Sequence, residues 1–263
     1  MQLKSKMKFE NGVNSSEESY WFGFLVGDGT IYENRYRLKL SLGRKDKKHV
    51  EKFATFLGYS KNRVHLYGSM SEFRIDNKQL LNNLYNLGLC ANKTHKTHKG
   101  LIPKKYKRDF IRGLFDADGT IHLRKNKKFK TPDFHICGTG DLLEGVRDVF
   151  LEDIGVRGCI STSKGQPSVF ECGGRYIVEK VGHYLFDKAK IYLERKYRIF
   201  QHIFEYNKNH GRQWKRYSKE VIYKIRDLYK KDGITQLKIA EKFNISQSFV
   251  SRIVNNKRYK DYI

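Results

Sequence analysis

Several things are scarce in this chain of 263 residues. Its four cysteines, Cys90, Cys137, Cys159 and Cys172, are scattered and form no C-x-x-C pair. Without a secretion signal, that pattern implies reduced thiols rather than a disulfide framework. Cys90, His95 and His98 form the one grouping that suggests zinc, but their spacing fits no common finger, and no zinc site is expected. No apolar run approaches the roughly 18–20 residues of a spanning helix, and no basic amphipathic anchor stands out, so no membrane partner is expected. The opening stretch MQLKSKMKFENGVNSSEE has no apolar signal-peptide core, which points to the cytoplasm or an organelle matrix. Acidic residues are also in short supply. There are 28 Asp and Glu against 53 Lys and Arg, a formal net charge of +25. Such a surplus says nothing about fold but favours a polyanionic partner. Nucleic acid is the leading candidate, because a basic surface gains affinity by releasing its condensed counterions.

What is present is a duplication. WFGFLVGDGT (residues 21–30) and DFIRGLFDADGT (residues 109–120) both read small residue, three residues, small residue, Asp, Gly, Thr, and each continues into Ile. The first copy opens a helix from Ser16 to Asp28, where Ser15 and Glu18 have capping-box spacing. YRLKLSL then alternates, with Tyr36, Leu38, Leu40 and Leu42 on one face. DKKHVEKFATFLGY has helical spacing and ends at Gly58. A second hairpin, RVHLYGSMSEFRID, and a helix, NKQLLNNLYNLGL, complete the unit. The second copy repeats this order, from KRDFIRGLFDADG to GRYIVEKVGHYLFDKA, with a longer basic loop in its first hairpin. The expected class is therefore α+β: two pseudo-symmetric αββαββα repeats, residues 1–105 and 106–206. A polar linker (207–217) and a small all-α module (218–263) follow. From Lys208 onward there are 15 Lys or Arg against 5 Asp or Glu.

Gly23 and Gly27, and Gly113 and Ala117, are four residues apart, so each pair makes a flat strip on one helix face. Strips of this kind let two backbones approach closely, and here each strip is expected to pack against the other. The large neighbours Phe22, Leu25 and Val26, with Ile111, Leu114 and Phe115, are expected to anchor each helix in its own repeat. Parallel packing then brings Asp28 and Asp118 together at equivalent helix ends, where Gly29 and Gly119 are expected to turn the chain sharply. A carboxylate is destabilising at the negative end of a helix, and two together require something positive between them. Divalent cations with oxygen ligands meet that requirement, and Mg²⁺ suits a site that also holds phosphate oxygens.

GFLVGDG and GLFDADG resemble the two signature helices of LAGLIDADG homing endonucleases, over roughly residues 15–206. That resemblance implies a monomeric single-chain nuclease whose paired sheets form a saddle over double-stranded DNA and whose centre cuts both strands. It implies catalytic, metal-binding roles for Asp28 and Asp118, and backbone carbonyl ligands at Gly27 and Ala117. Two or three Mg²⁺ (or Mn²⁺) ions are expected at the repeat interface. Lys45, Lys93 and Lys196 match lysines of the family's supporting shell, and Arg44 and Thr139 occupy a neighbouring polar position. Asp116 reads as a flanking residue, because its counterpart is Val26.

Strands laid in the major groove present alternate side chains to base edges. The residues expected to face DNA are Arg35, Arg37, Lys39, Arg63, His65, Tyr67 and Arg74 in the first repeat. In the second they are His122, Arg124, His135, Ser161 and Ser163. Because the two sets differ, the expected target is long and asymmetric. In the tail, QLKIAEKFNISQSFVSRIVNN has helix-turn-helix spacing. Asn244 sits at the turn, Ser246 caps the second helix, and Gln247, Ser248, Ser251, Arg252 and Asn255 are exposed to the groove. Two further readings use the same scaffold: a non-cleaving transcription regulator, disfavoured by the retention of both acids, and a splicing maturase with host intron RNA as partner. The resemblance places the protein in a bacterial or phage-infected cell, or in an organelle.

Overall fold

Each half of the first 210 residues is written in one order of elements. The computed structural model describes residues 8–90, 100–125, 130–163, 165–210, 218–230 and 232–255. The first repeat comprises α1 (Ser16–Asp28), β1 (Gly29–Tyr32), β2 (Arg37–Gly43), α2 (Lys47–Phe56), β3 (His65–Tyr67), β4 (Met70–Asp76) and α3 (Lys78–Asn86). The second comprises α4 (Lys107–Asp118), β5 (Gly119–Lys125), β6 (Lys130–Gly138), α5 (Gly140–Ile154), β7 (Cys159–Ser161), β8 (Ser168–Gly173) and α6 (Arg175–Phe186). The two antiparallel sheets have the same order, β1-β2-β4-β3 and β5-β6-β8-β7. A further helix, α7 (Glu194–His210), follows. Sequence spacing did not foresee it, and it runs past the expected repeat boundary at 206.

The alternation of the strands sets which face is inward. Leu38 pairs with Ile75 and Leu40 with Phe73; in the other sheet Phe134 pairs with Cys172 and Ile136 with Phe170. All eight are buried. Burying one such large apolar side chain contributes about 1.5–3 kcal/mol. Tyr36 departs from the expected apolar face. It ends the 3₁₀ turn Glu33–Arg35 in a left-handed conformation (φ 47°) and is 40% exposed. Helix α1 is buried on every side from Glu18 to Val26, which makes it a central helix rather than an amphipathic surface one. Its N-cap Ser15 accepts from the Glu18 amide at 3.0 Å. The reciprocal half of a capping box is missing, because the Glu18 carboxylate accepts from the amides of Phe9 and Asn14 instead. This pins the preceding segment to α1. Phe22 packs on Phe9 of its own repeat, and its ring also lies 5.6 Å from Phe110 of the other.

Residues 211–263 form a second compact unit. Its helices α8 (Lys219–Lys230), α9 (Gln236–Phe243) and α10 (Gln247–Val254) bury Ile222, Ile225, Ile239, Val250 and Ile253 against one another. Asn244 is left-handed, with φ 50° and ψ 51°. The Ser246 hydroxyl accepts from the Phe249 amide and caps α10. Three helices and a left-handed turn thus make up the described part of this unit.

Candidate active site at the repeat seam

Helices α1 and α4 touch backbone to backbone. A methyl group on Gly23 would overlap the carbonyl oxygen of Phe110, and one on Gly113 would overlap the carbonyl of Tyr20. One turn further on, a methyl on Gly27 would strike the Ala117 methyl and lie 2.9 Å from Oδ2 of Asp118. The Asp118 carboxylate therefore rests against the end of the opposite helix. The strips meet as their spacing requires.

The role expected of Gly29 and Gly119 needs correction. Neither is left-handed: Gly29 has φ −68° and Gly119 φ −95°. Both enter a strand directly, and their amides donate back to Leu25 and Phe115. Glycine is required because a Cβ on Gly29 would sit 2.6 Å from the Leu25 oxygen, and one on Gly119 would collide with Phe115. The close approach, not a positive φ, excludes larger residues.

Lys196 lies at the end of α4. Its Nζ is buried and donates to the carbonyls of Phe115 (2.7 Å), Gly119 (2.6 Å) and Ala117 (3.3 Å). This ammonium satisfies the negative helix end that carries Asp118. Burial lowers the Lys196 pKa to about 8, opposed by the fields of Asp116, Asp28 and Asp118. Both seam acids therefore lie within its electrostatic reach. The Ala117 carbonyl keeps a second lone pair beyond this long hydrogen bond.

Asp116 lies behind the acids and is buried. It accepts from the Tyr20 hydroxyl at 2.8 Å and from the Leu193 amide at 2.7 Å. Tyr20 also meets Nε2 of His49 at 2.9 Å, so one polar chain joins α1, α2, α4 and the start of α7. Burial pushes Asp116 up to about 6, against the lowering effect of these hydrogen bonds and Lys196. Burial holds His49 down to about 3, reinforced by nearby cations. Asp116 is thus a hub of the seam, consistent with its reading as a flanking residue. Its signal was a charge in an apolar helix with no counterpart in the other repeat.

Lys45 is exposed on the 3₁₀ turn Arg44–Asp46. It lines a cavity of about 520 Å³ between the starts of α2 and α7, with Lys48, Lys52, Arg195 and Arg198. Arg195 bonds the buried Asp46 at 2.9 Å. Lys93, with His95 and His98, lies outside the described residues. Thr139 is the N-cap of α5 without a side-chain cap bond, and its hydroxyl is shielded from solvent.

On the first sheet, Arg37, Lys39 and Arg74 sit opposite the buried leucine face, as expected. His65 stands across from Glu72. Arg35 and Arg63 do not belong to the strands. They lie in 3₁₀ turns, Arg35 exposed and Arg63 5.0 Å from the Tyr59 ring. On the second sheet, the rings of His122 and His135 are 4.8 Å apart, and Arg124 pairs with Thr131 in β5. Ser161 and Ser163 are exposed. In the tail, Gln247, Ser248, Arg252 and Asn255 are exposed on or beside α10, and Ser251 is half-buried.

The donor set at the seam suits a hard divalent cation. Two carboxylates and nearby carbonyls supply oxygen alone, and no group of three or more His, Cys, Asp or Glu that could hold a metal occurs among the described residues. Magnesium tolerates such a sparse set, because waters and substrate phosphates fill its remaining positions.

Residues 105–183 match the LAGLIDADG-like domain. Over about three quarters of its length the chain has the fold of LAGLIDADG meganucleases. The meganuclease I-SmaMI bound to uncleavable DNA with a TTGT central four aligns with a TM-score of 0.54 at 16% identity, covering 76% of this chain and 93% of that one. I-SmaMI bound to its uncleaved target in the presence of calcium ions aligns at 0.50 and 14%, covering 73% and 92%. A reverse gyrase from Methanocaldococcus jannaschii is 26% identical over 156 residues, 56% of this chain. The match spans only 9% of that protein's length, so the activity of the whole enzyme stays with it.

Proposed function

We propose that this chain, built on the LAGLIDADG fold, is a site-specific homing endonuclease that acts as a monomer. It hydrolyses one phosphodiester in each strand of a long asymmetric DNA duplex, in a bacterial or phage-infected cell or in an organelle. The observation that carries the reading is the glycine seam, which sets the Asp118 carboxylate 2.9 Å from a Cβ position on Gly27 and both acids within the field of Lys196. Asp28 and Asp118 would hold the divalent ions, Mg²⁺ or Mn²⁺, with the carbonyls of Gly27 and Ala117 as further donors. Bound there, two or three such ions would supply a nucleophilic water at neutral pH and charge stabilisation for the attacking and leaving oxygens.

The chain's own groups do the rest. The rigid seam fixes the acids and leaves them little to reorganise. Lys196 neutralises the end of α4 and keeps Asp118 aimed along the seam. Lys45 and Lys93 complete the basic shell around the reacting phosphate. The strand residues Arg37, Lys39, His65, Arg74, His122, Arg124 and His135 read base edges, with Arg35, Arg44 and Arg63 at the margins; Thr139, its hydroxyl shielded at the start of α5, is withdrawn from that set. The tail adds Gln247, Ser248, Ser251 and Arg252 from α10 as a second reader.

The test is incubation of the full chain with Mg²⁺ and DNA carrying candidate target loci. Double-strand cleavage by the parent is expected, with loss of cutting and retention of binding in Asp28→Asn and Asp118→Asn. Specific binding without cutting by the parent would overturn the enzyme in favour of a regulator.

A further inference from the structure

The outward face of the first sheet carries carboxylates where a phosphate clamp has no use for them. Arg37 and Asp76 are directly opposed on β2 and β4. Nε of Arg37 donates to Oδ1 at 2.6 Å and Nη2 to Oδ2 at 2.7 Å. Beside them, Lys39 lies 3.6 Å from Glu72, and Arg74 lies 3.9 Å from the same carboxylate. All three cations of the two central strands thus face an acid, in a chain with a net charge of +25. Exposed ion pairs contribute little to stability, and a carboxylate held against a polyphosphate weakens binding to every sequence alike. An acid on this face has a use only if it rejects some sequences and accepts others.

The geometry of the pair suggests which sequence it accepts. The fork is bidentate, so both side chains are held in one pose. Arg37 spends Nε and one Nη2 proton on Asp76 and keeps its other guanidinium donors. Asp76 keeps acceptor capacity on both oxygens, with 52% of its side chain exposed. The pair therefore offers a fixed acceptor beside a fixed donor. In the major groove, cytosine presents an exocyclic amine donor, and its guanine partner presents the acceptors O6 and N7. An A·T pair also presents an amine and acceptors, but its N7 and O4 lie on either side of that amine. Guanine alone sets two acceptors side by side for the Nη1 and Nη2 donors that Arg37 retains, so G·C is the pair that engages both halves fully.

On the reading of this chain as a DNA endonuclease, we infer that Asp76 is a specificity-determining residue that accepts from a cytosine amine in the half-site under the first sheet. Arg37, held by it, donates to the guanine of the same or the adjacent pair. Away from such a pair, the carboxylate keeps the Arg37 fork from gripping the phosphates of unrelated duplex.

The test is selection from a randomised duplex library with the full chain, with Ca²⁺ replacing Mg²⁺ so that bound DNA is recovered uncut. Parent and Asp76→Asn are compared, alongside their thermal melting and their affinity for an unrelated duplex. The parent is expected to enrich one G·C pair in one half-site. The variant should lose roughly tenfold or more of that preference while the other positions hold. It should also bind unrelated duplex a few-fold more tightly and melt as the parent does. Unchanged preferences at every position in Asp76→Asn would overturn the inference and leave the endonuclease reading intact, as would preferences lost uniformly with a lowered melting temperature. A parent that enriches no sequence would overturn both.

Discussion

Along the seam, the two repeats carry matching residues in matching places. Gly23 meets the Phe110 backbone as Gly113 meets that of Tyr20, and Gly29 and Gly119 each crowd a carbonyl four residues back. On the outward faces of the sheets the correspondence is gone. The first presents Tyr32 and Tyr67 beneath Lys39 and Arg74, with the Arg37–Asp76 pair two residues along the same strands. The second presents His122 and His135 packed edge to face, with Glu171 3.7 Å from His135. Backbone contact leaves room for almost one residue type, so the seam cannot diverge without losing the fold. A strand face opposite the core is free to change, so each sheet can acquire its own chemistry. A duplicated enzyme with an asymmetric target needs both behaviours.

That contrast is most exposed to failure at the glycines. Gly113→Ala puts a methyl onto the Tyr20 carbonyl and 2.8 Å from the Phe24 amide nitrogen. Backbone cannot yield as a side-chain tip does, so destabilisation of about 3 kcal/mol or more is expected by urea denaturation. Gly27→Ala should cost less, because it meets the Ala117 methyl and the Asp118 carboxylate, side-chain groups that can shift. Equal, small effects at both positions would mean the helices do not touch. Next in size is Lys196→Met. It strips the charged donor from three carbonyls at the end of α4 and should cost about 2 kcal/mol in the same measurement.

A pH series probes the interior from another side. His49 titrates near 3 in the fold against 6.5 in the open chain, so its contribution is complete above pH 6.5 and is lost as pH falls toward 3. Asp116 has the opposite sign. Its carboxyl, raised from 3.8 to about 6, takes up a proton in the fold first, so acidification from 6 toward 3.8 favours the folded state. Between pH 6 and 4 the two slopes oppose each other. Asp116→Asn should expose the His49 slope, a further loss of about 1.4 kcal/mol per pH unit relative to the parent. Parallel stability curves for parent and variant would show that Asp116 does not titrate as its burial demands.

Much of this architecture was legible because each signal was local and had few meanings. Small residues four apart, an acid at a helix end and strict alternation in LKLSL each admit essentially one geometry. What stayed hidden depends on distant partners. Lys196 was expected in the supporting shell only from the family resemblance, and its three carbonyls lie about 80 residues away in sequence. The burial of Asp116 depends on Tyr20 and on an unforeseen helix start at Leu193. Gly29 and Gly119 were expected to turn the chain sharply, whereas a close approach to Leu25 and Phe115 is what calls for glycine, because the two demands leave the same mark in sequence. Tyr36 continued an apolar alternation but fell in a turn. Asp76 went unnoticed because its pairing with Arg37 requires the register of two strands separated by a helix.

The smallest expected effect tests the free side of the contrast. If the outward face carries no structural duty, Arg37→Gln should leave the urea unfolding midpoint essentially where the parent has it, although the pair it breaks is bidentate and as short as 2.6 Å. Both partners are substantially exposed, with side-chain accessibilities of 23% and 52%, so water replaces the lost contact and leaves no buried charge behind. A clearly lowered midpoint would mean the cross-strand fork holds β2 to β4. The first sheet would then be constrained on both faces, and the freedom that separates it from the seam would be gone.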